Sequence, residues 1–161
     1  MDGIRSYLII YLSFFLVLVL YVFPLPMVVN SLRPSWLVLI VFYWVLALPD
    51  KIGAMHACFL GLLVDILLGS TLGVHALLLS LISYFVTRNY QKIRNASVLK
   101  RTLTLGVLVL ANHVLLYWAV SFTKPIVLHG YSYYFPVLTS MLVWPWFFLL
   151  MRFVRRKFKV K

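Results

Sequence analysis

Asp65 is the one acid set inside an apolar run. An ionisable group there costs at least about 2.5 kcal/mol on insertion scales unless it is protonated, paired or in water. It reads either as a functional site or as an anchor that bonds backbone or polar groups of a neighbouring helix. Gly61, Asp65, Gly69 and Gly73 recur every four residues, so while a helix continues they share one face. Small residues at that spacing let another helix approach closely, which leans the stretch towards helix packing, or partner binding, with a polar latch. The candidate partners of the latch are His75 beyond a turn, Asn112 and His113 in a later segment, and a helix of another subunit. Asn112 and His113 are adjacent, about 100° apart on a helix, so they cannot both face one point squarely.

The other residues with chemical potential form no constellation. His56 and Cys58 stand two apart, on different helix faces, and no CxxC or Cys/His ligand spacing exists, so no metal and no cofactor is expected. A single cysteine cannot form an internal disulfide. Ser70 lies in Leu68-Gly69-Ser70-Thr71-Leu72-Gly73, which lacks the G-x-S-x-G spacing, and no histidine stands near enough in sequence to argue for a dyad. With three acids in the chain, paired-carboxylate chemistry is nearly excluded. No catalytic residue is assigned, and the chain is read as a non-enzyme.

These residues must be positioned by membrane helices. Of 161 residues 64% are hydrophobic and 11% charged, against about 45–50% and about 25% in soluble domains. The formal charge of +12 is confined to short stretches between long apolar runs, which is a membrane pattern and argues against nucleic acid as a partner. Residues 52–87 hold a single charge. As one helix they would measure about 54 Å against about 30 Å of hydrocarbon, so they must fold back once, with Gly69-Ser70-Thr71 as the break. The reading is an all-α integral membrane protein, a single six-helix transmembrane domain over 1–161, with helices at about 7–29, 35–49, 52–68, 72–87, 102–122 and 131–151. A basic loop at 88–101 and a basic tail at 152–161 complete it. Helix two is short and expected to be anchored in the interface by Trp36 and Trp44, with the remaining tryptophans in the same belt or in packing. Pro24 and Pro26 are expected to kink or end the first helix and Pro145 the last. The stretch Tyr7 to Phe23 is too long for a signal-peptide core and lacks a small-residue cleavage site, so it is expected to be an uncleaved span.

Six spans put thirteen of the fifteen Lys and Arg on one side, including Arg88, Lys92, Arg94, Lys100, Arg101, Arg152, Arg155 and Arg156. Arg33 and Lys124 fall on the other. Basic residues near span ends are retained in the cytoplasm, so both termini are expected inside. The basic surface serves as a topology signal in contact with lipid headgroups, or docks a cytoplasmic partner. Phe153, Phe158 and Val160 among the bases of the tail favour its lying on the membrane.

Four segments carry a resemblance: Arg33-Pro34-Ser35-Trp36; Tyr43-Trp44-Val45-Leu46-Ala47-Leu48-Pro49; Asp65-Ile66-Leu67-Leu68-Gly69-Ser70-Thr71-Leu72-Gly73; and Trp144-Pro145-Trp146-Phe147-Phe148-Leu149-Leu150-Met151-Arg152. In this order they resemble the MreD family of rod shape-determining inner-membrane proteins of Gram-negative bacteria. The resemblance implies a non-enzymatic scaffold of the cell-elongation (rod) complex. It would organise lateral-wall peptidoglycan synthesis with the bitopic MreC as direct partner, and with the MreB filament, RodZ, RodA and its penicillin-binding transpeptidase. It marks Arg33, Pro34, Trp36, Asp65, Gly69 and Gly73, with Trp144, Pro145 and Trp146, as the positions that matter, and it offers no catalytic residues. It matches nothing between Lys124 and Tyr134.

The same resemblance implies a six-helix arrangement similar to the substrate-binding subunits of energy-coupling-factor vitamin transporters. The alternative function is therefore a small-molecule binder, which would require Asp65, Asn112 and the histidines to converge on one pocket.

Overall fold

The structure, a computed structural model, describes residues 2–23, 32–121 and 134–158. Six helices make up the described regular structure: α1 (Asp2–Val22), α2 (Trp36–Ala47), α3 (Ala54–Leu68), α4 (Val74–Asn95), α5 (Val98–Ser121) and α6 (Phe135–Lys157). α3 and α4 form the closest pair, and α5 packs between α4 and α6. α2 lies at the centre, touching α1, α4, α5 and α6, and every residue from Leu37 to Leu46 is buried.

The outward surfaces are apolar. On α1, Leu8, Leu12, Phe15, Leu16 and Leu20 are exposed while Ser6 and Ser13 are buried, and on α6 Leu138, Leu142, Trp146, Leu149 and Phe153 face outwards. Putting leucine outside and serine inside is unfavourable in water and favourable in hydrocarbon, where each polar group must find a partner within the protein. α5 over Val98–Ala119 and α6 are long and apolar enough to cross a bilayer, whereas α1 from Ser6, α2 and α3 are apolar but shorter. This is the architecture of a helical membrane protein.

α2 has twelve residues, about 18 Å of helix, and its neighbours rather than lipid enclose it. Trp44 is therefore not an interfacial anchor: it is fully buried, and its indole Nε1–H donates to Ser13 Oγ on α1 at 2.9 Å. Trp144 is likewise a core residue, edge-on to Phe42 at 5.0 Å between ring centroids. Trp36 sits half-buried against Phe147 at 6.1 Å, while Trp118 and Trp146 remain exposed.

The basic stretches are mostly helical. α4 runs on to Asn95 and α5 begins at Val98, so the expected loop 88–101 shrinks to Ala96 and Ser97. No Pro or Gly interrupts 88–101. Arg, Lys and Gln are good helix formers, and Lys92 and Arg94 complement the dipole in the last turn of α4. α6 similarly carries six residues of the expected tail, through Lys157. Pro145 lies inside α6 without ending it. Pro24, Pro26 and Lys124 lie outside the described residues.

Candidate functional site

α3 stops where Gly69 turns left-handed, at φ +57°. The amide of Gly69 then donates to Ile66 O and that of Ser70 to Asp65 O, closing the carbonyl end of the helix. The chain reverses through Ser70 and Thr71, and Gly73, at φ +96°, opens α4. Both glycines therefore serve the turn, where residues with a Cβ are strained. The four-residue spacing does not make one continuous face: Gly61 and Asp65 remain on α3, whereas Gly69 and Gly73 lie beyond it. A Cβ on either turn glycine would meet nothing within 4 Å, so neither packs against another described helix of this chain. At Gly61 a Cβ would come within 2.4 Å of the Ala76 backbone. The small-residue contact is thus real, and α4 of the same chain occupies it.

Asp65 is fully buried in this corner. Its Oδ1 accepts from Ser70 Oγ at 2.8 Å, from the His75 amide at 3.3 Å and from His75 Nδ1–H at 2.7 Å. Its Oδ2 accepts from the Gly73 amide at 2.9 Å and the Ala76 amide at 3.5 Å. These amides belong to the first turn of α4, whose N–H groups have no intrahelical acceptor. Asp65 thus caps the next helix from the end of the previous one, with its charge set at the positive end of the α4 dipole.

The corner continues towards α1. The Tyr21 ring lies edge-on to His75, with centroids 6.5 Å apart, and the Arg33 guanidinium sits 5.7 Å from the centre of the Tyr21 ring. Arg33 Nε and Nη2 are enclosed and make no hydrogen bond. Two positions far apart in the chain, Arg33 and Asp65, therefore meet through Tyr21 and His75. Of the latch partners expected within this chain, His75 engages Asp65, and Asn112 and His113 do not. His113 Nδ1 bonds to Val109 O of its own helix at 2.9 Å, and Asn112 lines an apolar groove between α4 and α5.

The other segments that carry the resemblance converge on α6. The Ser35 amide donates to Ser140 Oγ at 2.8 Å, and that hydroxyl donates in turn to Pro136 O. Pro34 O accepts from the Trp36 amide at the entry to α2. Trp36 and Trp144 both contact Phe147, while Trp146 faces outwards.

Sequence reasoning missed Tyr21, Ser13 and Ser140. The first two look like ordinary members of an apolar run, and only the signal of a polar atom needing a partner in hydrocarbon could have singled them out. Ser70 is no nucleophile in this arrangement: its hydroxyl donates its hydrogen bond to the Asp65 carboxylate. The imidazole also bonds that carboxylate, so serine and histidine share an acceptor and do not form a nucleophile and base. Among the described residues the polar groups of a small-molecule site do not converge either: His56 packs against Tyr7 and Tyr11, away from the Asp65 corner, and His129 lies outside the described residues. Among the described residues no three of His, Cys, Asp and Glu come together to hold a metal.

The basic residues gather where α4 and α6 end and α5 begins. Arg94, Arg101, Arg152 and Arg155 line one cavity, Arg156 lies beside them on α6, and Arg88, Lys92 and Lys100 project outwards.

No solved structure matches the chain. A family model described as rod shape-determining protein MreD matches residues 2–154. The rod shape-determining protein MreD of Haemophilus influenzae is 41% identical over 150 residues, which cover 92% of each chain. The matched span takes in both the Asp65 corner and the α2–α6 contact, and the chain belongs to the MreD family of rod shape-determining proteins.

Proposed function

We propose that this chain is a non-enzymatic scaffold of the cell-elongation complex in the inner membrane. Six spans with both termini cytoplasmic would hold the single membrane helix of MreC, and so organise lateral-wall peptidoglycan synthesis near the MreB filament, RodZ, RodA and its transpeptidase. Family membership supports the role in shape.

The groove between α4 and α5 carries the partner reading. It has a volume of about 500 Å³ and is lined by Leu78, Leu81 and Phe85 on one wall and Val107, Asn112 and Leu115 on the other. Leu81 and Val107 are more than half exposed although they sit at mid-helix. The groove is apolar apart from Thr104 and Asn112, which suits a helix packed by shape with one polar contact and does not suit a polar metabolite. Since α4 already occupies the face of Gly61, this reading puts the partner helix at the α4–α5 groove.

The test is complementation. Cells depleted of the protein should become round and recover rod shape with the wild-type copy. Leu81→Trp and Val107→Trp, which fill the groove, should lower co-purification of MreC about fivefold or more at equal membrane abundance, a change of about 1 kcal/mol. Undiminished co-purification with both variants would move the interface elsewhere.

A further inference from the structure

The basic end of the bundle holds a cavity of about 160 Å³ between α2, α4, α5 and α6. Arg94, Arg101, Arg152 and Arg155 line it together with Tyr43 and Phe148, and no acidic side chain does. Two of the arginines are held in place by the fold. Arg101 Nε–H donates to Ala96 O at 3.1 Å while its guanidinium lies 5.6 Å from the centre of the Phe148 ring. Arg155 Nη1–H donates to Ala47 O, at the carbonyl end of α2, at 3.4 Å. Arg94 and Arg152 are exposed arms at the mouth.

Four guanidinium groups around one cavity repel each other, more strongly where apolar walls lower the effective dielectric. Such a cluster is stabilised by an anion with several acceptor oxygens. Guanidinium forks match phosphate oxygens pairwise, which a lysine ammonium does not. Two further features indicate how the phosphate arrives. Two of the arginines adjoin long uncharged runs, Arg152 directly after residues 125–151 and Arg101 directly before residues 102–123. Arg152 also borders a second depression, shared with Leu149 and Phe153, whose side chains are more than half exposed. Charged and apolar surfaces therefore adjoin, as a headgroup and its acyl chain require, and basic pockets between membrane helices are known to take anionic headgroups.

We propose that this arginine cavity is a specific site for a phosphate-bearing group, delivered as the headgroup of an anionic membrane lipid. The inference stands independently of the partner assigned to the α4–α5 groove.

The experiment is native mass spectrometry of the detergent-purified full chain, titrated separately with phosphatidylglycerol, phosphatidylcholine and inorganic pyrophosphate. Wild type should retain phosphatidylglycerol about tenfold more tightly than phosphatidylcholine. The preference should fall to near unity in Arg94→Gln/Arg152→Gln, which leaves the bonds of Arg101 and Arg155 in place. Arg88→Gln/Lys100→Gln removes the same charge away from the cavity and should keep the preference. If the glutamine pair at the cavity aggregates, Arg94→Lys/Arg152→Lys takes its place, with a several-fold loss expected because the charge remains without the fork. An equal loss in the Arg88/Lys100 control, or an undiminished preference in the cavity variants, would overturn the site. Pyrophosphate binding as tightly as the lipid would overturn the lipid source and leave a free phosphate ligand.

Discussion

A carboxylate can stay in an apolar stretch only if its charge is met, and Asp65 meets three amides of α4, one hydroxyl and one imidazole. Asp65→Leu leaves those donors without an acceptor, a loss on the order of 2–4 kcal/mol. Asp65→Asn retains one acceptor oxygen and should cost about half as much. Thermal melting of the detergent-purified protein checks the order, and equal melting points for the two variants would contradict the capping role. The glycines separate by cause. Gly69→Asn should be nearly neutral because Asn tolerates the left-handed region, whereas Gly69→Val should cost on the order of 1–2 kcal/mol through backbone strain. Gly61→Leu must push the α4 backbone away and should be worse than either, with loss of membrane abundance on immunoblots as the readout. A packing face would instead reject Asn and Val at Gly69 alike.

Between helices, single polar contacts fix how elements meet. Trp44 Nε1–H has Ser13 Oγ as its acceptor in the core, and Ser13 Oγ–H in turn donates to Ile10 O. Ser13→Ala therefore strands a buried indole donor, at a cost of about 1–3 kcal/mol. Ser13→Thr, which keeps the hydroxyl, should recover most of the loss in melting temperature, and no recovery would assign the effect to packing alone. The break between α3 and α4 was legible because Gly69-Ser70-Thr71 interrupts a run too long for one crossing. The extent of α4 is not legible in the sequence, because the run of bases after Thr87 marks the end of the apolar stretch and not the end of the helix. Charge ends the part of a helix that lies in hydrocarbon, and the hydrogen-bond ladder continues into water. The role of α2 was also illegible: its twelve residues are apolar on every face, so no periodicity shows whether lipid or protein surrounds them.

For the whole molecule, the Asp65 corner and the arginine cavity lie at opposite ends of α4. If α4 crosses the membrane as proposed, the two ends face different compartments. In a Cys58→Ala background, a cysteine at Thr71 should react with an impermeant thiol reagent in intact spheroplasts, and one at Ser97 only after lysis. The reverse pattern would invert the orientation.

The sequence by itself determined the membrane class, the number of apolar segments, the turn at Gly69 and the clustering of basic residues between apolar runs, because each of these follows from run length and composition along the chain. Only the tertiary structure decided which glycine packs and which one turns, that Asp65 selects His75 over Asn112 and His113, that Trp44 and Trp144 are core residues, and that four arginines from three helices share one cavity. In hydrocarbon the lipid-facing and core-facing residues are both apolar, so the pattern that tells inside from outside in a soluble helix is nearly silent. The direction each side chain faces is then set by its few polar partners and close backbone contacts, which exist only once the helices are assembled.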